Sequence, residues 1–295
     1  MLFIIILNIL YASTFTIGKL LLINSGPIFV TGLRMALGGL SLLVYSLFIK
    51  KEKIKNLILT KQNIIDLVQI IIIGNFISYV FDFIALKHTT SIKVSFLYNL
   101  TPFISAILSY FMLNEKINLK RWAGLIISFL GCLPVLIEHA NQETLITNNF
   151  FISWPEILLI ISVATYAYSW ILMRKMINYQ NFSPIIVNYS TMLLGGLLAF
   201  PASLIFETWQ PIPDIKTFVF LLFLIVLAGN IVFYNFYGAL LKKYTVTFIA
   251  ISSLMCPLFT AILSHIFLGE QITLSLFASN LIVFLGLYIY YQEEK

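Results

Sequence analysis

Charged residues are scarce in this sequence, and their scarcity excludes a water-soluble globular protein. Only 10% of the 295 residues are Asp, Glu, Lys or Arg, whereas soluble domains carry roughly 25%. Hydrophobic residues make up 60%, and apolar runs long enough to span a hydrocarbon core of about 30 Å recur along the chain. The alternating segments of about ten residues that build a transmembrane β-barrel are absent. The composition therefore predicts an all-α, polytopic membrane protein.

Cysteine and histidine are also sparse, which argues against a metal or disulfide framework. The two cysteines, Cys132 and Cys256, both lie inside apolar runs. None of the three histidines has ligand spacing to a cysteine or carboxylate. No glycine-rich phosphate loop precedes a helix. We therefore expect no metal, no cofactor, no enzymatic activity and no ATP hydrolysis within this chain.

An internal repeat is the strongest positive feature of the chain. Residues 102–117, PFISAILSYFMLNEKI, return at 257–272 as PLFTAILSHIFLGEQI, an offset of 155 (257 − 102), with about half of the aligned pairs identical. The same offset pairs Gly74 with Gly229, each followed by Asn. A repeat of this length predicts a protein built from two related halves.

Hydropathy and loop charge predict the membrane topology. The longest loop, 139–154, separates spans five and six, so we predict repeats at 1–138 and 155–295 joined by this extracytoplasmic junction. Five spans per half make the halves enter the membrane from opposite sides, which predicts inverted repeats. Basic residues concentrate in the loops on one side, so both termini are predicted to be cytoplasmic. The ten predicted spans are 2–23, 29–49, 64–86, 92–113, 122–138, 155–173, 184–206, 217–240, 247–268 and 275–291.

Two segments of the chain resemble the EamA family of the drug/metabolite transporter superfamily. They are residues 85–117, ALKHTTSIKVSFLYNLTPFISAILSYFMLNEKI, and the segment LRMALGGLSLL that contains Arg34. The resemblance covers essentially the whole chain as two EamA units. It implies a ten-helix transporter of the bacterial inner membrane, with a central cavity lined by spans one, three, four, six, eight and nine. Members of the family carry amino acids, nucleotide-like metabolites, sugar phosphates and drugs.

Polar and aromatic side chains inside the spans are the candidate substrate-binding residues. Polar groups in hydrocarbon are costly unless they face a partner or a water-filled cavity. Several share a helical stripe, as do Asn75, Tyr79 and Asp82 at i, i+4 and i+7. The alternative interpretation is helix packing, in which an interhelical hydrogen bond contributes about 0.6 kcal/mol. The candidates are Tyr11, Thr14, Asn75, Tyr79, Asp82, Tyr98, Asn99, Tyr166, Ser169, Trp170, Asn230, Tyr234 and Ser253.

Charged residues inside the spans have two interpretations. Asp82 is the only carboxylate well inside a predicted span. It forms a structural ion pair with Arg34 or Lys19, or it contacts a cationic substrate group or takes a proton. We favour the ion pair of Lys19, Arg34 and Asp82, because an unpaired charge at this depth is expensive.

The repeated segment also contains paired prolines and glutamates. Pro102 and Pro257 each remove a backbone hydrogen bond, so we predict that they free polar backbone and act as hinges. Glu115 and Glu270 lie just beyond their helices. We expect them to stabilise the turn into the next span rather than to bind substrate.

Together these features predict a secondary transporter that moves a small organic metabolite by alternating access. An amino acid, particularly an aromatic one, is the first expectation, because the predicted lining is rich in Tyr, Trp and Asn. The alternatives are a nucleoside-like or adenosylated metabolite such as S-adenosylmethionine, whose base stacks on aromatic rings, and drug efflux. An intramembrane enzyme and a non-transporting subunit are rivals from other classes. The expected partners are the lipid bilayer and the substrate, and no nucleic acid. A monomer is compatible with these features.

Overall fold

Helices account for all of the regular structure in the residues that the computed structural model describes, which are 2–50, 60–114, 118–131, 154–272 and 274–292. The all-α membrane class is thus confirmed. Eight of the helices, α1–α4 and α6–α9, are long and apolar enough to cross a membrane. The helices are α1 (Leu2–Leu22), α2 (Pro27–Lys50), α3 (Lys61–His88), α4 (Ser91–Leu113), α5 (119–131), α6 (Trp154–Tyr179), α7 (Pro184–Phe206), α8 (Ile215–Leu240), α9 (Val246–Leu268) and α10 (Leu274–Gln292).

Helix α6 departs most from its predicted bounds. The prediction ended this helix at residue 173, yet it continues to Tyr179. The basic residues that indicated a loop lie on the helix, and one of them, Lys175, forms an ion pair with Asp66 of α3. Most of the predicted junction loop, and the end of predicted span five, lie within residues 132–153, outside the described residues.

Helices α3 and α8 contain π-helical segments at equivalent positions of the repeat. These are Ile70–Ile77 and Val226–Phe233, and each includes a Gly-Asn pair of the sequence repeat. In a π segment each hydrogen bond spans five residues instead of four, so the 3.6-residue spacing is interrupted. The predicted stripe of Asn75, Tyr79 and Asp82 is therefore not continuous, because Asn75 lies within the π segment and the other two follow it.

A 3₁₀ turn precedes each of the two prolines of the repeated segment. Tyr98–Leu100 lies before Pro102, and Ser253–Met255 lies before Pro257. Because proline has no N–H, the carbonyl four residues earlier loses its α-helical partner. In both turns that carbonyl instead accepts a hydrogen bond from the residue three positions later. The expected free carbonyls are thus used by the backbone itself, and the hinge stays a prediction.

Helices α2 and α7 make the most extensive contact between the two halves. A Cβ atom on Gly39 would lie 2.5 Å from the backbone nitrogen of Leu193, and one on Gly196 would lie 2.5 Å from that of Ala36. Small residues allow helix backbones to approach closely in membranes. These two glycines therefore set the distance at which the halves meet.

Glutamates at the helix ends accept hydrogen bonds from the first turns of distant helices. Glu270 accepts from the backbone N–H groups of Ser91 and Ile92, at 2.9 and 3.2 Å. The carboxylate of Glu270 thus caps the positive N-terminus of α4, while its backbone supports its own turn, because the Glu270 N–H donates to the Ser264 carbonyl at 3.3 Å. Glu207 binds the start of α2 in the same way, at 2.6 and 2.9 Å. Glu115 lies outside the described residues.

Candidate functional site

Aromatic side chains from α1, α3, α4, α6 and α8 meet in the middle of the molecule. Each is at least nine-tenths buried. The closest ring pair is Trp170 with Tyr237, whose centroids are 3.8 Å apart. Such a cluster gives flat apolar surfaces with hydroxyl groups at their edges. This aromatic cluster consists of Tyr11, Phe15, Tyr79, Tyr98, Tyr166, Trp170, Phe233, Tyr234 and Tyr237.

Two small cavities lie within the aromatic cluster, each with a volume of about 10 Å³. Tyr11 and Phe233 line both, and their rings stack at 4.8 Å with an angle of 9° between their planes. Drug-sized ligands occupy pockets of roughly 300–1,000 Å³. The two rings therefore form a partition that must part before a metabolite can occupy the centre.

The first cavity, which we call the charged cavity, contains Arg34 and Asp82. Their side chains are buried, with 3% and 4% of the residue surface exposed. The guanidinium carbon of Arg34 lies 4.7 Å from the centre of the Phe83 ring and 5.3 Å from that of Tyr79. These are cation–π distances. The charged cavity is lined by Tyr11, Thr14, Phe15, Arg34, Tyr79, Asp82, Phe83, Tyr98, Gly229, Phe233 and Tyr234.

Polar atoms of the charged cavity have hydrogen-bonding capacity that the protein does not use. Arg34 Nε and Asp82 Oδ1 are buried without a hydrogen-bond partner. Buried polar groups in proteins are nearly always hydrogen-bonded. A set of unpaired polar atoms around one cavity is therefore what a polar ligand would satisfy.

The third member of the predicted ion pair, Lys19, lies elsewhere. Its ammonium group donates to the carbonyls of Leu86, Lys87 and Thr89 at 2.8, 3.1 and 2.7 Å. It thus neutralises the negative C-terminal end of α3. Among the ion pairs of the described residues, none within 4.0 Å joins Arg34 or Lys19 to Asp82. Arg34 and Asp82 share a cavity without touching.

The second cavity carries no formal charge, and we call it the neutral cavity. It lies on the other side of the Tyr11–Phe233 partition, and Tyr166 and Tyr237 bring their rings to it. Tyr11 and Tyr166, which the 155-residue offset pairs, have parallel rings 6.1 Å apart. The neutral cavity is lined by Leu7, Asn8, Tyr11, Thr101, Tyr166, Phe233, Tyr237, Ile249, Ala250 and Ser253.

The two predicted asparagines of the π segments pack between helices and line neither cavity. A Cβ atom on Gly195 would lie 2.7 Å from Cβ of Asn75, and one on Gly38 would lie 2.6 Å from Cβ of Asn230. Asn230 also donates to the sulfur of Met35 at 3.0 Å. These contacts correspond to each other across the repeat. They match the helix-packing interpretation of such residues.

The remaining predicted residues make mostly local bonds. The hydroxyls of Thr14, Ser169 and Ser253 donate to carbonyls three residues earlier, at 2.6, 2.8 and 2.6 Å. Thr14 and Ser253 still line a cavity, whereas Ser169 packs against Gly74. Asn99 is buried in the 3₁₀ turn of α4.

Phe233, which the sequence analysis did not select, is central to the site. Phenylalanine is abundant in this chain, with 26 copies, so a single Phe carries no signal. The repeat carried no signal either, because the 155-residue offset pairs Phe233 with Ser78. Only its position directly before the predicted Tyr234, at the end of the π segment, explains its place in the site.

Polar networks join neighbouring helices at both ends of the site. At one end Asp66 of α3, only 1% exposed, is surrounded by three side chains that donate to it. Lys175 Nζ lies 3.0 Å from Asp66 Oδ2, Gln180 Nε2 donates at 2.7 Å and Gln62 Nε2 at 2.9 Å. We call this the Asp66 cluster. The sequence analysis missed it because residue 66 lies near the edge of a predicted span.

At the other end, Lys93 of α4 and Glu156 of α6 form an ion pair at 2.5 Å. Lys19 and Glu270 lie at the same end of the molecule, each bound to a helix terminus. These two networks therefore tie neighbouring helices together at opposite ends of α6.

A much larger cleft of about 1270 Å³ lies outside the aromatic cluster. It is bordered by the turn between α1 and α2, one face of α3 and the segment that follows α7. Its lining is mostly apolar and includes Phe29, Phe76, Phe206 and Trp209. None of the predicted site residues lines this cleft, whereas Arg34 and Asp82 line the charged cavity.

Comparison with known proteins adds independent information. The model of the EamA-like transporter family matches residues 1–137 and again 153–292. A Chlamydia muridarum protein named S-adenosylmethionine/S-adenosylhomocysteine transporter is 31% identical, over 99% of this chain and 92% of that protein. The protein of the same name from Chlamydia trachomatis serovar L2 is 30% identical, over 99% and 89%. One solved crystal structure aligns with a TM-score of 0.76 at 14% identity, over 99% of this chain and 96% of that chain, and thus has the same fold.

Proposed function

The chain belongs to the EamA-like transporter family of the drug/metabolite transporter superfamily, and from that premise we propose that it transports S-adenosylmethionine and S-adenosylhomocysteine. The proposal replaces the aromatic amino acid of the first expectation with the adenosylated alternative. Two relatives that carry this name share about 30% of their residues with this chain along nearly its whole length. The family and the names of the relatives indicate a membrane transporter and not an enzyme.

The observation that carries the proposal is the aromatic cluster with unpartnered charged groups beside it. S-adenosylmethionine combines an adenine base, a ribose, a sulfonium cation and an amino-acid zwitterion. Aromatic rings stack on the base, and their faces attract the sulfonium. S-adenosylhomocysteine lacks the sulfonium charge but keeps the base and the zwitterion. An aromatic amino acid would leave half of this lining unused.

Transport then follows from alternating access of two inverted repeats. In this proposal ten spans form two halves, 1–138 and 155–295, in a bacterial inner membrane with both termini cytoplasmic. The two halves exchange roles when the carrier opens to one side or to the other. The present structure leaves no room for a substrate among the described residues of the centre, because the partition rings stack and the two cavities measure about 10 Å³ each. Pro102 and Pro257 are the proposed bending points of α4 and α9.

The proposal is tested by uptake of radiolabelled S-adenosylmethionine into proteoliposomes that contain the purified protein. We expect saturable uptake that S-adenosylhomocysteine inhibits and that excess phenylalanine or tyrosine leaves unchanged, because neither supplies both the base and the zwitterion. Empty liposomes are the control. Absence of uptake, or inhibition by aromatic amino acids as strong as that by S-adenosylhomocysteine, would overturn the proposal.

A substitution in the neutral cavity tests where the base binds. Tyr166→Leu keeps a bulky apolar side chain but removes a stacking surface, which contributes about 1–3 kcal/mol per base. We therefore expect KM for S-adenosylmethionine to rise about tenfold or more. Tyr179→Leu, at the exposed end of the same helix, is the matched control and should leave KM unchanged. Equal KM values in the two variants would show that the base does not stack on Tyr166.

A further inference from the structure

We infer that Arg34 and Asp82 bind the amino-acid end of the substrate, with the guanidinium on the α-carboxylate and the Asp82 carboxylate on the α-ammonium group. The inference rests on the proposed function and deepens it. It assigns each end of an adenosylated amino acid to one of the two cavities, with the zwitterion in the charged cavity and the adenosine in the neutral cavity.

The first argument is electrostatic. Burying a charge inside a protein costs several kcal/mol per ion even after relaxation, and a direct ion pair is the usual compensation. Arg34 and Asp82 are almost fully buried and line one cavity, yet no ion pair within 4.0 Å joins them among the described residues. Arg34 Nε and Asp82 Oδ1 have no hydrogen-bond partner. A zwitterion between them completes two ion pairs at once.

The second argument is geometric. The Arg34 guanidinium lies against the faces of Phe83 and Tyr79, which leaves the in-plane N–H groups for a ligand. A planar guanidinium binds carboxylates through two parallel hydrogen bonds. Thr31, one turn before Arg34, bonds to the Tyr79 carbonyl at 3.4 Å and helps to hold α2 against α3. The cation and the carboxylate therefore belong to helices that are fixed against each other.

The third argument is the asymmetry of the repeat. The 155-residue offset places Tyr237 opposite Asp82. Between α2 and α7 the offset is 157, since it pairs Gly38-Gly39 with Gly195-Gly196, and it places Thr191 opposite Arg34. Both formal charges thus belong to the first half, and the second half presents neutral groups at the equivalent positions. A site with one charged and one neutral end suits a substrate with one charged and one neutral end. The substrate is therefore expected to bind in one orientation only.

The test uses three ligands that differ in their charged groups. S-adenosylmethionine has the carboxylate, the ammonium and the sulfonium, decarboxylated S-adenosylmethionine lacks only the carboxylate, and methylthioadenosine has none of the three. Affinities are measured by equilibrium binding to the purified carrier in detergent. We expect Arg34→Gln to weaken the binding of S-adenosylmethionine about 10- to 100-fold and to leave the affinities for the other two ligands unchanged. Asp82→Asn should weaken the binding of both ammonium-bearing ligands, and also that of S-adenosylhomocysteine, which has the ammonium but no sulfonium, and should leave the affinity for methylthioadenosine unchanged.

Controls keep the test decisive. Arg121→Gln removes a cation from α5, where Arg121 lies over the Tyr290 ring, and should change none of the three affinities. An equal loss of affinity for all three ligands in Arg34→Gln would show a structural role and overturn the inference. Unchanged affinities for all three would also overturn it. If Arg34→Gln does not fold, the wild-type carrier decides, because equal affinity for S-adenosylmethionine and its decarboxylated form overturns the inference. Failure of the wild type to bind or transport S-adenosylmethionine would instead overturn the proposed function.

Discussion

Replacing Lys175 with methionine is expected to open the end of the carrier at which α3 meets α6 and to lower S-adenosylmethionine uptake. Methionine keeps the length of the side chain but removes its charge, so Asp66 keeps only the amides of Gln62 and Gln180. Breaking a buried ion pair costs about 3–5 kcal/mol. Because the Lys175 side chain is 31% exposed, we expect a smaller loss of about 1–3 kcal/mol.

Hydrogen–deuterium exchange measures this loosening directly. Opening that becomes easier by about 1.4 kcal/mol speeds exchange about tenfold. We expect faster exchange at the start of α3 and the end of α6 in Lys175→Met, with α2 and α7 unchanged. Lys242→Met is the matched control, since Lys242 is an exposed lysine outside the cluster. The same exchange rates in both variants would show that the Asp66 cluster does not hold this end closed.

Gly196→Ala is expected to lower the stability of the whole carrier. The added Cβ atom would lie 2.5 Å from the backbone nitrogen of Ala36 and 3.0 Å from the carbonyl oxygen of Gly32. Backbone atoms cannot rotate away as side chains do, so α2 and α7 must separate. Overpacking of this kind costs about 1–3 kcal/mol, which corresponds to roughly 5 °C in Tm.

Gly32→Ala at the same crossing is the graded control. Its Cβ atom would lie 3.3 Å from its nearest neighbours, Ala199 Cβ and the Gly196 carbonyl oxygen, so a small shift accommodates it. Both substitutions gain the same helix propensity, about 1 kcal/mol, and the difference between them isolates packing. In thermal unfolding in detergent, the Tm of Gly196→Ala should be clearly lower than the Tm of Gly32→Ala. Equal Tm values would contradict the tight crossing.

Some parts of the site follow from the sequence because they depend on periodicity. Tyr11 and Tyr166, paired by the repeat offset, do come together, and Tyr79 and Asp82 do share a cavity. Asn75 does not join them, because the π segment breaks the regular spacing that the prediction assumed. The arrangement of ten spans as inverted repeats stays a prediction.

Other parts of the site depend on how far a side chain extends and on which residues it contacts. Neither follows from a pattern in the sequence. Lys19 lies in the predicted helix, but its long side chain extends to the end of α3 instead of to Asp82. Asp66 is a single carboxylate whose three partners come from its own helix, from α6 and from the turn that follows α6. The sequence does not decide between the substrates for a chemical reason, since rings that suit a phenyl group also suit an adenine base.

The π segments of α3 and α8 bear on the history of the protein. Such segments are rare, well under 1% of residues in globular proteins, yet both halves carry one around the same Gly-Asn pair. A shared irregularity at one alignment position dates from before the gene duplication. If each half has the five helices that we propose, the ancestor was a single five-helix unit that already had this distorted helix. Under the proposed inverted arrangement, two copies of that unit must have inserted in opposite orientations and assembled as a dual-topology dimer.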